Sequence, residues 1–339
     1  MSTDISARLP KVLLHEHLDG GLRVGTLLEL LQQRGMAPPA PDVPGLAAWF
    51  DAHAHAGSLE AYLEGFGLTV AAMATPDALA RVAREAAEDA LADGCMLAEF
   101  RIAPLLFEPL GVSGDAAVEA MLDGLAQCPL PSGLIVCGMR HLPVHETRRA
   151  AELALRWRSR GVIAFDLAGA EAGHPPGDHV EVLRLVREAG LPMTLHAGEA
   201  DVAERVLEAA QQGAARIGHG VRLVDALDDP ARRGLVDEAI ERGLHLEVCP
   251  TSNVHTGAAR SLAEHPITRL WRAGVSLSFH TDNRLMSCIT HSSEARDLLA
   301  QTPLTVEDLL SMGRQAAQAS FLPAAAKEAA LAALAAFEP

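Results

Sequence analysis

An α/β barrel, with eight parallel strands alternating with helices around one core, is the fold class that the sequence predicts. Three observations predict it. Short apolar runs recur at residues 12–19, 95–103, 134–139, 162–167, 192–196, 215–218, 244–249 and 275–279. Most are separated by stretches with apolar residues at helical spacing, as in 144–159, 179–189, 202–212 and 230–242. No Gly/Ser-rich linker divides the 339 residues, so residues 1–339 read as a single domain. Strands alternating with helices in this way are the pattern of a single (β/α)8 TIM barrel.

The first run, Val12-Leu13-Leu14-His15-Glu16-His17-Leu18-Asp19, places two histidines two residues apart. On a strand such side chains point the same way, so His15 and His17 can reach one point in space. Residues 22–35 follow with Val24, Leu27, Leu28, Leu30 and Leu31 at helical spacing and Gly35 as a stop. Four prolines make residues 37–44 an extended loop. Residues 46–65 read as helix, so His53 and His55, although two apart, face different ways and are expected to be surface or lid histidines. Roughly eighty residues separate the first strand from the second, and the stretch 38–65 is expected to be a helical lid inserted after strand 1. An amphipathic helix is expected over 78–93, and the Ala/Leu-rich tail at 305–339 is expected to form extra C-terminal helices.

Composition narrows the function. A chain that is 49% hydrophobic and 21% charged can bury a sizeable core. Its formal charge of −16 argues against a nucleic-acid or anionic-membrane partner. No apolar run reaches the ~18 residues of a membrane span, and residues 1–10 lack a basic start followed by an apolar stretch, so a cytoplasmic protein is expected. The five cysteines are scattered, without a Cys-x-x-Cys pair; Cys95, Cys137 and Cys249 lie in apolar runs and read as reduced core thiols.

In such a barrel, polar residues at the C-terminal ends of the strands converge on one face. Here they recur in order: His15, His17 and Asp19; Asp166 to Glu171; His196 to Glu199; His219 between two glycines; Glu247 to Asn253; and His280 to Asn283. His15, His17 and His196 offer three neutral imidazoles and Asp282 a carboxylate, a donor set that suits Zn²⁺ and leaves a position for water. Glu199, three residues past a ligand, can sit beside the metal as general acid or base, and His219 can handle a proton of the water. Such a set performs hydrolytic attack on an electrophilic carbon.

These motifs resemble the adenosine deaminase family of the amidohydrolase superfamily. The resemblance is carried by His-Glu-His-Leu-Asp-Gly at 15–20, Asp-Leu-Ala-Gly at 166–169, His-Ala-Gly-Glu at 196–199, Ile-Gly-His-Gly at 217–220, Glu-Val-Cys-Pro-Thr-Ser-Asn at 247–253 and Thr-Asp at 281–282. It runs from about residue 9 to residue 320. It implies one zinc per chain on His15, His17, His196 and Asp282, with Glu199, His219 and Asp282 as the catalytic groups. Glu199 would then donate a proton to N1 of a 6-aminopurine, and His219 would assist the water. The implied substrate-binding residues are His17, Asp19 at a ribose hydroxyl, Gly169 with its N–H at N3, and Asn283. The family usually has a second aspartate where this chain has Asn283; purine N7 is an acceptor, and an amide always carries a donor for it. Adenosine or 2′-deoxyadenosine is the implied substrate, with adenine or a 5′-modified adenosine such as aminodeoxyfutalosine as alternatives. The implied partner is therefore a small purine; the oligomeric state is left open.

Other readings fit less well. Residues 163–167 offer no lysine to bridge two metals, no Pro-Cys-x-x-Cys marks a cytidine-deaminase fold, and His15-Glu16-His17 is not a His-Glu-x-x-His helix. A barrel that has lost catalysis and serves as a binding protein would be expected to lack a ligand or the proton donor, and the sequence retains both.

Overall fold

The apolar runs become parallel strands in a computed structural model that describes residues 4–54 and 59–338, with the side chains of residues 59–64 left undescribed. The strands are β1 (Lys11–His17), β2 (Cys95–Ile102), β3 (Ser132–Met139), β4 (Val162–Ala168), β5 (Thr194–Ala197), β6 (Arg216–His219), β7 (His245–Val248) and β8 (Ser276–Phe279). They form two four-stranded ladders, β1-β2-β3-β4 and β5-β6-β7-β8, in sequence order. Single parallel bridges join the ladders at both edges, Phe165 with Met193 and Glu16 with Asp282, so the eight strands close into a ring.

Side chains reinforce both seams. Between β8 and β1, the Leu14 N–H donates to His280 Nδ1 at 3.2 Å and Thr281 Oγ1 donates to Glu16 at 2.8 Å. Because His280 accepts at Nδ1, its Nε2–H must donate to Ser278 Oγ at 2.7 Å, and Ser278 in turn meets His245 Nε2 at 2.8 Å. Between β4 and β5, the buried Arg140 guanidinium donates through Nη2 to the carbonyls of Leu167 (2.6 Å) and His196.

Alternation along the strands sorts polar from apolar. Phe100, Ile102, Phe165, Leu167, Leu246 and Val248 pack outward into the main core, whereas Glu99, Arg101, Asp166 and Glu247 of the same strands turn inward and are buried. The interior is therefore a polar network inside an apolar shell. Arg101 donates to Asp166 (2.9 Å) and Glu247 (2.6 Å), and Arg216 donates to Glu247 (2.7 Å) and Glu99 (2.6 Å). Beneath it the segment between the last two helices, Val306–Ala319 and Ala324–Ala335, closes the barrel floor: Ser320 Oγ and the Phe321 N–H donate to Glu99, and Arg216 lies 3.7 Å from the Phe321 ring centroid. These are the extra C-terminal helices that the sequence predicts.

The insertion after β1 is helical, as expected, but longer and divided. Helices run over Val24–Gln33, Val43–Ala54, Leu59–Met73 and Pro76–Ala92. Helix begins at Val43, inside the stretch read as loop, because Pro44 occupies the first turn, where a missing N–H costs nothing. His53 turns back on its own helix, with Nδ1 2.7 Å from the Trp49 carbonyl and its ring stacked on Trp49, so it is a lid residue as expected. The reading of His55 lies outside the described residues. The structure adds short helices at Pro250–His255 and Ile267–Arg272, too brief to show a period in sequence, and among the described residues no helix is long and apolar enough to cross a membrane. Cys95, Cys137 and Cys249 are free and buried, as expected of core thiols.

Glu294, on helix His291–Gln301, is fully buried; one oxygen accepts the Thr251 N–H at 3.0 Å and the other has no hydrogen-bond partner among the described residues. Burial pushes its carboxyl up to about 8, above the ordinary 4.5. The stability gained from the protonated form is complete below the ordinary value and is lost as pH rises from 4.5 through about 8. Glu294→Gln keeps an acceptor for Thr251 and cannot ionise. Thermal melts should show the variant more stable than the parent above pH 8 and the gap closing towards pH 5; parallel pH profiles would contradict this account.

Candidate metal centre and active site

β1 delivers His15 and His17 to the barrel mouth because its alternation turns both inward, while Glu16 between them points out to Arg284 Nε at 2.7 Å. His196 arrives from β5, and Asp282 from the turn after β8. Asp282 is woven into β1: its N–H donates to the His15 carbonyl at 3.0 Å, and the His17 N–H donates to its carbonyl at 2.7 Å. One ligand atom from each of His15, His17, His196 and Asp282 lies within 4.8 Å of the others. The four residues predicted from sequence as ligands are thus brought together.

Carboxylates behind the imidazoles aim them. His15 Nδ1–H donates to Glu247 at 2.9 Å and His196 Nδ1–H to Asp166 at 2.9 Å, which turns both Nε2 atoms towards the centre. Ser252 Oγ donates to Asp282 Oδ2 at 2.6 Å, leaving Oδ1 3.4 Å from His15 Nε2 and 3.5 Å from His17 Nε2. Burial holds His17 well below the ordinary histidine range, so it is a neutral donor. Burial works against ionisation of Asp282, but the surrounding imidazoles, His15 foremost, hold its carboxyl well below the usual range. The fit to a cation is seen at His15 Nε2, a buried nitrogen with no hydrogen-bond partner among the described residues. Three imidazole nitrogens and one carboxylate oxygen suit a divalent ion such as Zn²⁺.

Two backbone positions at this centre carry strain. Asp282 (φ +57°) and His219 (φ +62°) occupy the left-handed region without being glycine, a cost of about 1–3 kcal/mol each that the surrounding bonds must offset. Gly218, just before His219, is closely packed: a Cβ there would lie 3.1 Å from His15 Cε1 and 3.2 Å from His196 Cα, so the two histidines would have to give way by a few tenths of an ångström.

Glu199 and His219 stand together at this centre. Glu199 Oε1 accepts from Asn253 Nδ2 (3.0 Å) and Thr256 Oγ1 (2.9 Å), and Oε2 is 3.5 Å from His219 Nε2. The same Asn253 amide nitrogen is 3.1 Å from His219 Nδ1, with His265 Nε2 behind its oxygen at 3.4 Å. Burial lowers His219 from the ordinary histidine value, so the ring is neutral. Cys249 shares the neighbourhood of His219 and Asp282, but burial pushes its thiol well above the usual range and keeps the proton on sulfur.

Asp19 lies two residues past His17 and is buried; its Oδ1 has no hydrogen-bond partner among the described residues and sits 4.0 Å from His17 Nδ1. Burial pushes its carboxyl up to about 7. Asn283 follows Asp282 and packs against Gly20 so closely that a Cβ on Gly20 would come within 2.0 Å of Asn283 Oδ1. Gly169 follows β4 at φ +92°, beside His141. Sequence reasoning missed the roles of Arg101, Asn253, Thr256, Ser252 and Glu171. Asn253 and Ser252 lie inside a motif already singled out at 247–253, so their position in it was the available signal; Arg101 carried none beyond an improbable charge in an apolar run.

The chain matches the family model described as adenosine deaminase over residues 10–336. It is 44% identical over 330 residues to an adenosine deaminase of Mycobacterium bovis, covering 93% of this chain and 90% of that protein. In fold it is similar to an adenine deaminase from Arthrobacter aurescens (TM-score 0.88, 23% identity, 96% of this chain and 98% of that one). It is similar also to a zinc-bound amidohydrolase from Burkholderia ambifaria (TM-score 0.84, 24% identity, 99% and 93%).

Ser252→Ala removes one hydrogen bond to a metal ligand and leaves the ligand itself. Metal affinity should fall about 10- to 100-fold, measured by competition with a chelator, with the far-UV spectrum unchanged. Unaltered affinity would show that Ser252 does not orient Asp282.

Proposed function

We propose, from the premise that this chain belongs to the adenosine deaminase family, that it hydrolyses adenosine to inosine and ammonia with one zinc ion on His15, His17, His196 and Asp282. The observation that carries this reading is the pairing of Glu199 with His219 through one Asn253 amide, beside the ligand cluster. That is an acid and a second proton-handling group at the same reacting carbon.

Zinc bound there supplies a Lewis acid that lowers the pKa of a water. The protein's own groups do the rest. Glu199 donates its proton to N1 of the purine, which draws electron density from C6 and opens the ring to attack; without that proton the aromatic ring resists addition. His219, neutral and buried, meets the attacking oxygen and steadies the charge that develops on it. The C6–N bond breaks as the C6 hydroxyl proton passes to the amino nitrogen, which departs as ammonia and leaves a C6 carbonyl, and the proton lost by the attacking water restores Glu199. Gly169 offers its N–H to N3 and Asn283 an amide donor to N7, so the ring is held by its edges while C6 faces the cluster.

Asp19 favours a nucleoside over the free base. A buried carboxyl with an unmet oxygen gains a partner in a ribose hydroxyl, and a ligand without that hydroxyl leaves it unmet, which is costly. Binding adenine would therefore forgo an interaction that adenosine makes.

Ammonia release from a panel of adenosine, 2′-deoxyadenosine, adenine, AMP and 5′-modified adenosines tests the substrate assignment. Adenosine and 2′-deoxyadenosine should have the highest kcat/KM; a preference for adenine would overturn the role of Asp19. Glu199→Gln retains an oxygen for Asn253 and removes the acid, so zinc content should be unchanged while kcat falls by about 10²- to 10⁴-fold. A near-parental rate would remove Glu199 from the proton-donor role.

A further inference from the structure

Glu171 lies two residues beyond Gly169, in the loop after β4, and is buried although it touches none of the ligands. Its carboxyl accepts four consecutive backbone N–H groups of the loop that follows β5. Oε1 takes Gly198 at 2.5 Å, and Oε2 takes Glu199 at 2.9 Å, Ala200 at 2.7 Å and Asp201 at 3.2 Å. A loop whose N–H groups all point at one carboxyl has few alternatives: among the described residues no backbone carbonyl accepts from them, and together they form a concave anion seat of the kind that successive backbone amides build. Here the anion is part of the protein.

The consequence falls on Glu199, the second residue of that loop. Its N–H is held by Glu171, its carbonyl accepts Arg222 Nε at 3.2 Å, and its carboxyl is held by Asn253 and Thr256. Arg222 belongs to the loop after β6, and Asn253 and Thr256 to the helical turn after β7. Among the described residues, only the Glu171 contact reaches Glu199 from the loop that carries Gly169. It is the mechanical link between the edge of the pocket assigned to purine N3 and the group assigned to N1.

We propose that Glu171 is a positioning residue for the deamination: it sets the height of Glu199 relative to the purine plane by fixing the 198–201 backbone from the Gly169 loop. This rests on the proposed role of Glu199. An acid that must meet a ring nitrogen within hydrogen-bond distance is sensitive to its placement, and a shift of about 1 Å costs on the order of 10²-fold in rate. The binding of the purine itself relies on other groups, so the loss belongs in kcat.

Glu171→Gln and Glu171→Asp, studied beside Glu199→Gln, test this. The Gln side chain keeps the volume but must turn an N–H₂ towards backbone donors on one side. The Asp side chain keeps a carboxyl but is one methylene shorter, so it reaches part of the loop. With rates expressed per bound zinc, Glu171→Gln should lose 10- to 100-fold in kcat with KM within about threefold, and Glu171→Asp should recover part of that loss. Parental kcat in Glu171→Gln, or a loss in which KM rises while kcat holds, overturns the proposal. So does an equal kcat loss in both variants accompanied by a lower melting temperature and lower zinc content, since that is the pattern of a merely structural residue. The Glu199→Gln arm separates the two ideas: if that variant keeps its rate, the proton-donor reading fails, whereas if it loses its rate and both Glu171 variants do not, only the positioning role fails.

Discussion

Glu247 is the constraint on which the rest of the barrel depends. Its two oxygens accept from Arg101, Arg216, Thr194 and His15, and all of these are buried. Burial raises the cost of its charge, and the two guanidinium groups hold the carboxyl well below the usual range in spite of it. A buried carboxylate with one cation would be poorly compensated; with two, it becomes the middle of a chain that continues through Arg101 to Asp166 and through Arg216 to Glu99. Two of its carboxylates reach the candidate centre. Glu247 aims His15 and Asp166 aims His196, so the groups that neutralise the interior also set the direction of two candidate ligands.

The ring has two weak edges, where one bridge each replaces a ladder, and the site is built on them. His15 and His17 stand on β1, His196 on β5 and Asp282 after β8, so the ligand set draws on both half-sheets and spans the β8/β1 seam. At the β8/β1 seam, where ladder bonds are few, the chain turns left-handed at Asp282 and still bridges β1. Side chains then restore what the backbone lacks, His280 and Thr281 on one seam and Arg140 on the other.

The proton-handling groups follow a second pattern, in which each is held from a neighbouring loop and never from its own strand alone. Glu199 follows β5 but is held from the loops after β4, β6 and β7. His219 ends β6 but meets Asn253 from β7. Rigidity at the candidate centre thus comes from the segments after neighbouring strands bracing each other around the mouth, and this permits a precise site.

The sequence by itself determined the eight strands, because apolar runs separated by helical periods admit few other folds, and it singled out the candidate ligands and proton groups, because such residue types recur at strand ends in one order. Alternation within a strand was enough to pair His15 with His17. The bracing set was not legible. Arg101, Asn253 and Glu171 act across loops and strands distant in the chain, and a single sequence records no distance between Glu171 and the amides of 198–201. Tertiary structure alone decided that the barrel interior is a charge network, that the ladder breaks where the ligands stand, and which loop holds the acid. Those are properties of contacts between residues far apart in sequence, set by ring closure.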